Sequence, residues 1–170
     1  MSPQRWCLVG AGASEVELGP LAATSWVDPE PLTSAPEDAD RRVDQAIEAL
    51  GGFDAVVLFA NGAGPPDASL AAALERRVVP IVLASARFGA ELLVEGRGAL
   101  VIGAEPAEGR WAATVDGALR ALVRSGAKEL GPRQVTVNLA SPVSAGLLRF
   151  LASEDGGFIT GEHIEAEAAR

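Results

Sequence analysis

The chain of 170 residues has no tyrosine, and it has a single lysine (Lys128), a single cysteine (Cys7) and a single histidine (His163). One cysteine excludes an internal disulfide framework and a cysteine-rich zinc site, and it suits a reducing compartment. One histidine excludes a multi-histidine metal centre built within a chain, so no metal is expected. No window reaches the 18 uninterrupted apolar residues of a spanning helix, and the first ten residues, with one Arg and a short apolar run, do not read as a secretory leader. Basic residues are scarce as well: 14 in all, nearly every one Arg, against 23 Asp plus Glu, for a net charge of −9. A domain this acidic, with no basic stripe, is repelled by polyphosphate, so no nucleic acid and no anionic membrane is expected as partner. The expectation is a cytoplasmic protein.

What is present is apolar. Hydrophobic residues make up 48% and charged ones 22%, with 19 Gly and 11 Pro, which fits neither a disordered chain nor a fibrous one. A chain of this length forms one compact domain and buries about 70% of its unfolded surface. Trp6-Cys7-Leu8-Val9 is a short apolar run closed by Gly10-Ala11-Gly12, the pattern of a buried strand and turn. Leu21 to Val27 reads as a second short strand. Ser34-Ala35-Pro36-Glu37 has the spacing of a capping box, and it opens a helix that Gly51-Gly52 stops. Asp54 to Phe59 is a continuous apolar strand of the kind found in parallel sheets covered on both faces.

Beyond it, Asp67 to Arg77 reads as a short helix, Pro80 to about Val94 as a longer one, and Ala99 to Gly103 as a strand. Arg110 to Leu130 is a long helix with Gly131-Pro132 as its stop; Val135 to Leu139 is a strand, Ser144 to Ser153 a helix and Phe158 to Ile164 a last strand. Strands alternating with helices predict an α/β fold, a shortened, doubly wound Rossmann-like parallel sheet. The helices Pro80–Val94 and Arg110–Leu130 are apolar over much of their circumference, more than a sheet face requires. Their surplus, with Phe150 and Phe158, gives an expected interface of Leu83, Phe88, Leu92, Val115, Ala118, Leu119, Leu122, Phe150 and Phe158.

From about residue 36 onward the sequence resembles the short-chain dehydrogenase/reductase family, in its 3-oxoacyl-carrier-protein-reductase-like branch. The resemblance rests on LVRSGAKELGPRQVTVN (122–138) and FLASEDGGFITGEHI (150–164), with GALVI (98–102) and LGGFDAVV (50–57) as further matches. It implies a Rossmann fold that binds a nicotinamide dinucleotide on a Gly-rich turn, with Tyr and Lys moving the proton, Ser orienting the carbonyl and Asn supporting them. Aligned on Lys128-Glu129-Leu130, the implied Tyr falls on Ala112 and the implied Lys on Asp116. A methyl group transfers no proton and a carboxylate supplies no cation. The implied Ser falls on or beside Ala104-Glu105, and the implied Asn near Arg77 or Val78. In the cofactor turn Gly10 and Gly12 remain, but Glu15 and Glu17 stand where later glycines belong. A carboxylate about 4 Å from a phosphate costs roughly 4 kcal/mol at an effective dielectric near 20. After Ser141-Pro142 the family's long substrate lid is replaced by the helix at Ser144.

The resemblance therefore implies a pseudoenzyme without a cofactor. The chain is expected to assemble, as a heterodimer or heterotetramer, with an active full-length paralogue and to support its NAD(P)-dependent alcohol/ketone oxidoreductase activity. The alternative is a homodimer that binds a small ligand in a remodelled crevice. A third reading makes Asp116 and Glu105 the acid and base of a different enzyme. Single residues point to no further chemistry. His163, Glu108 and the pair Glu165 and Glu167 read as solvated or interface groups, Cys7 as a small buried hydrophobe, and Trp26 and Trp111 as packing or interface residues.

Overall fold

The computed structural model describes residues 4–10, 35–60 and 69–165, and residues 22–27 as backbone. The strands are β1 (Gln4–Val9), β2 (Ala22–Val27), β3 (Ala55–Phe59), β4 (Gly98–Gly103), β5 (Val135–Ser141) and β6 (His163–Glu165). The helices are α1 (Pro36–Leu50), α2 (Leu70–Arg77), α3 (Val79–Glu95), α4 (Ala112–Leu130) and α5 (Ala145–Leu151). All strands run parallel in one sheet of order β2-β1-β3-β4-β5-β6. The Rossmann-like parallel sheet expected from the alternation of strands and helices is the fold observed.

The strands are apolar on both faces because both faces are covered. Cys7, Val9, Val56, Leu58, Leu100, Ile102, Val137 and Leu139 point to one side, where α1, α3 and α4 lay Val43, Phe88, Leu92, Leu119 and Val123 against them. The alternate residues Trp6, Leu8, Val57, Val101 and Ala140 face the other side and meet Leu148 and Leu151 of α5. Each fully buried Leu, Ile or Phe contributes about 1.5–3 kcal/mol. This packing accounts for part of the apolar circumference of α3 and α4. Phe88, Leu92, Val115 and Leu119, expected at an interface, are instead at most 3% exposed and belong to the chain's own core. Of the expected interface positions on these helices, Phe88 and Leu92 of α3 and Val115 and Leu119 of α4 are buried, whereas Leu83, Ala118 and Leu122 are not.

Several boundaries differ from the sequence expectation. The helix expected after a capping box begins at Pro36 with Ala35 as its N-cap and no side-chain cap; the residue Ser34 lies outside those described. Ser69 and Ser144 do cap α2 and α5, their hydroxyls accepting from the amides of Ala72 and Leu147. β6 spans three residues, His163–Glu165, rather than the seven expected, and the stretch before it is tied to β5 by two backbone bonds, from the amide of Gly161 to the carbonyl of Val137 and from the amide of Leu139 to the carbonyl of Glu162, and by side chains. Asn138, fully buried in β5, donates to the carbonyl of Ile159 (2.8 Å) and accepts from the amide of Glu162 (3.2 Å). Arg5 closes the opposite end of the sheet. It binds Asp54 and Glu95 at 3.1 Å each and the carbonyl of Gly51 at 3.0 Å.

Candidate functional site

In a parallel sheet the carboxyl ends of the strands are where ligands bind, in a crevice beside the point where strand order reverses. Here that reversal lies between β1 and β3. Gly10 ends β1 with a φ of +110°, and a Cβ there would stand 2.8 Å from the carbonyl oxygen of Phe59, so the turn demands glycine. The remaining members of the cofactor turn, Gly12, Glu15 and Glu17, lie outside the described residues.

A crevice of about 250 Å³ opens at the carboxyl ends of β4, β5 and β6, beneath α4. Register builds it. Leu139 pairs with His163 and Ser141 with Glu165 across adjacent strands. Side chains two apart share a face, so all four look toward α4. From α4, Asp116, Leu119 and Arg120 form the facing wall, and Ala104, Glu105 and Pro106 close the end beyond β4. Because Asn138 fixes the loop before β6, it also sets where His163 stands.

Glu165 is the shared acceptor on one side, 3.5 Å from Arg120 and 3.4 Å from Nδ1 of His163. Burial, with the Arg120 charge behind it, holds the His163 imidazole below its ordinary value, against the opposing pull of Glu165 and Asp116. Asp116 makes no hydrogen bond or ion pair with any described residue, and neither does the hydroxyl of Ser141. Behind the crevice sits Arg77, 4% exposed, which donates from Nη2 to the carbonyl of Glu105. Its Nε and Nη1 have no partner among the described residues. Burial lowers its pKa, and the charges of Asp116 and Glu105 work in the opposite direction.

The structure thus brings together three positions the resemblance singled out. Asp116 and Glu105 line one crevice, and Arg77, near the implied Asn, is buried behind them. Ala112 is one helical turn before Asp116 on the same side of α4. Ala104 is buried at the end of β4. Glu108 is exposed, and Trp111 is half-buried beside Arg110, whose guanidinium lies 5.2 Å from the ring centre. The side chain of Trp26 and all of Glu167 fall outside the described residues. Of the expected interface, Leu83, Ala118 and Leu122 are half-buried, while Phe150 and Phe158 are exposed. Sequence reasoning missed the exposed face of α3, where Val82, Ala86, Ala90 and Val94 recur every four residues. That spacing was the available signal. It also missed Ser141, read only as the start of a lost lid.

The residues at this crevice do not fit a nicotinamide dinucleotide handled in the family's way. A carboxylate, Asp116, stands where the resemblance implies the ammonium that would hold the ribose, and no phenol exists in the chain. No group of three or more His, Cys, Asp or Glu among the described residues could hold a metal ion. No described helix is long and apolar enough to cross a membrane.

A parallel sheet with this reversal and a crevice at its carboxyl ends defines a Rossmann-like α/β protein. More narrowly, the fold is that of the short-chain dehydrogenase/reductases. A Brucella ovis oxidoreductase of that family superposes with a TM-score of 0.73 at 20% identity, over 96% of this chain and 100% of that one. A doubly substituted Serratia marcescens short-chain dehydrogenase/reductase gives 0.68 at 20% identity, over 97% and 96%. No family model and no curated protein matches the chain.

Proposed function

We propose that the chain is a non-catalytic subunit with the short-chain dehydrogenase/reductase fold, which assembles with an active member of that family and stabilises or regulates an NAD(P)-dependent alcohol/ketone oxidoreductase. The observation that carries this reading is α4. It carries Asp116 at the crevice, with Ala112 one turn before it, in place of the implied Lys and Tyr. Assembly is supported by the exposed stripe Val82, Ala86, Ala90 and Val94 on α3, by the half-buried Leu83 of α3 and Ala118 and Leu122 of α4, and by the exposed rings of Phe150 and Phe158.

The test is capture of the tagged full chain from its native cells, followed by assay of the captured complex for NAD(P)-dependent turnover. The expected result is an intact family member in the complex and turnover by the pair. Ala90→Glu sets an unpaired carboxylate into the apolar stripe, which should weaken assembly by a factor of about a hundred or more while leaving the fold unchanged by circular dichroism. Micromolar binding of NAD(H) or NADP(H) by the chain alone, or turnover without a partner, would overturn the reading.

A further inference from the structure

We propose that the crevice beneath α4 is a binding site for a small primary ammonium compound, an amino alcohol or short alkylamine, anchored by the Asp116 carboxylate and the Ser141 hydroxyl. The inference goes beyond the subunit reading and does not depend on it, since every group it uses belongs to this chain.

Three observations converge. Ser141 is only 9% exposed, yet its hydroxyl lines the crevice and has no hydrogen-bond partner among the described residues. Its oxygen is reached from the crevice rather than sealed in the core, so it is available to a group that enters there. Asp116, half-buried on the opposite wall, is equally without a hydrogen bond or ion pair among the described residues, whereas the neighbouring Glu165 already has Arg120 and His163. The charge balance then chooses the sign. Among the described residues, Glu105, Asp116 and Glu165 line the crevice against Arg120, with Arg77 buried behind. A cation is drawn in and a carboxylate or phosphate repelled.

Size and lining restrict the ligand further. The space, about 250 Å³, is below the range of drug-sized sites, and Leu119, Leu139, Ala104 and Pro106 offer a short apolar body its contacts. The ammonium donates to Asp116, and a ligand hydroxyl one or two carbons away exchanges hydrogen bonds with Ser141.

The experiment is an NMR titration of the full chain with ethanolamine hydrochloride. Ethylene glycol serves as the uncharged analogue, sodium acetate as the anion and sodium chloride as the ionic-strength control. Saturable shifts confined to the amides of Asp116, Leu119, Ser141 and His163 are expected with ethanolamine only. Asp116→Asn should weaken binding about tenfold or more and Ser141→Ala about threefold to tenfold. The two substitutions lie on different elements, so either one with an otherwise unchanged spectrum suffices. Shifts that never saturate, equal binding of ethylene glycol or acetate, or undiminished affinity in a folded Asp116→Asn protein would overturn the proposal.

Discussion

Replacing Arg77 by methionine should leave the protein as stable as before or more so. Its guanidinium is 4% exposed, donates one hydrogen bond from Nη2 to the carbonyl of Glu105, and leaves Nε and Nη1 without partners among the described residues. The bond to a charged donor is worth about 1.5–3 kcal/mol, whereas each buried, unpaired polar group costs about 1–3 kcal/mol. Two costs against one gain favour removal by about 1 kcal/mol, and methionine keeps most of the apolar stem in place. At this chain length a change of that size raises Tm by about 2–4 °C. Arg77→Ala gives the opposite sign, because the lost stem opens a cavity and costs about 2 kcal/mol or more. Urea unfolding followed by circular dichroism reads both, with an unchanged slope as the condition for comparing midpoints. If Arg77→Met loses more than about 2 kcal/mol and behaves like Arg77→Ala, the two donors are satisfied and the electrostatic argument is wrong.

Two further outcomes follow from single residues. His163 is held below the ordinary imidazole value by burial and by Arg120, so the unfolded chain binds the proton more readily. Stability is therefore retained above about pH 6.5 and lost as pH falls through the folded value, and His163→Gln should flatten that acid limb in pH-dependent unfolding. As the chain's one histidine, it gives an unambiguous NMR titration, and a midpoint above 6.5 would contradict the assigned direction. Cys7, fully buried in β1, has its thiol pushed up to about 12. It should ignore Ellman's reagent in the native state at pH 8 and react within the mixing time once unfolded; native reactivity would mean that β1 opens on the timescale of the assay.

The fold was legible because the strands are monotonous. A run such as that of β3 has no polar residue to place on an exposed face, which leaves only a doubly covered parallel sheet. Helix ends carrying their own chemistry were equally readable: Gly131-Pro132 follows the last residue of α4, and Ser144 caps α5. The assembly surface was less so. With a core on both sides of the sheet, an apolar helix can be apolar for internal reasons, and Phe88 and Leu119 are buried while Val82 and Val94 are not. Composition cannot distinguish these; only the phase of each residue around the helix does.

The crevice was harder still. Arg77 sits among charged helix residues and would be assigned to solvent, and Ser141 becomes a crevice group only through the pairing of β5 with β6, a contact between segments more than twenty residues apart.

The Arg5 clamp gives the molecule a mechanical polarity. One guanidinium fastens the start of β3, the turn after α1 and the last residue of α3 to the first strand. That pole is a keel: the chain cannot flex there without parting an ion pair between segments about ninety positions apart in sequence. The crevice lies at the opposite rim, beyond the reach of this clamp. Substitutions accumulating at that rim can reshape what the crevice accepts while the anchorage beneath stays in register. A scaffold so divided can drift in chemistry and still present the same helices to a neighbour.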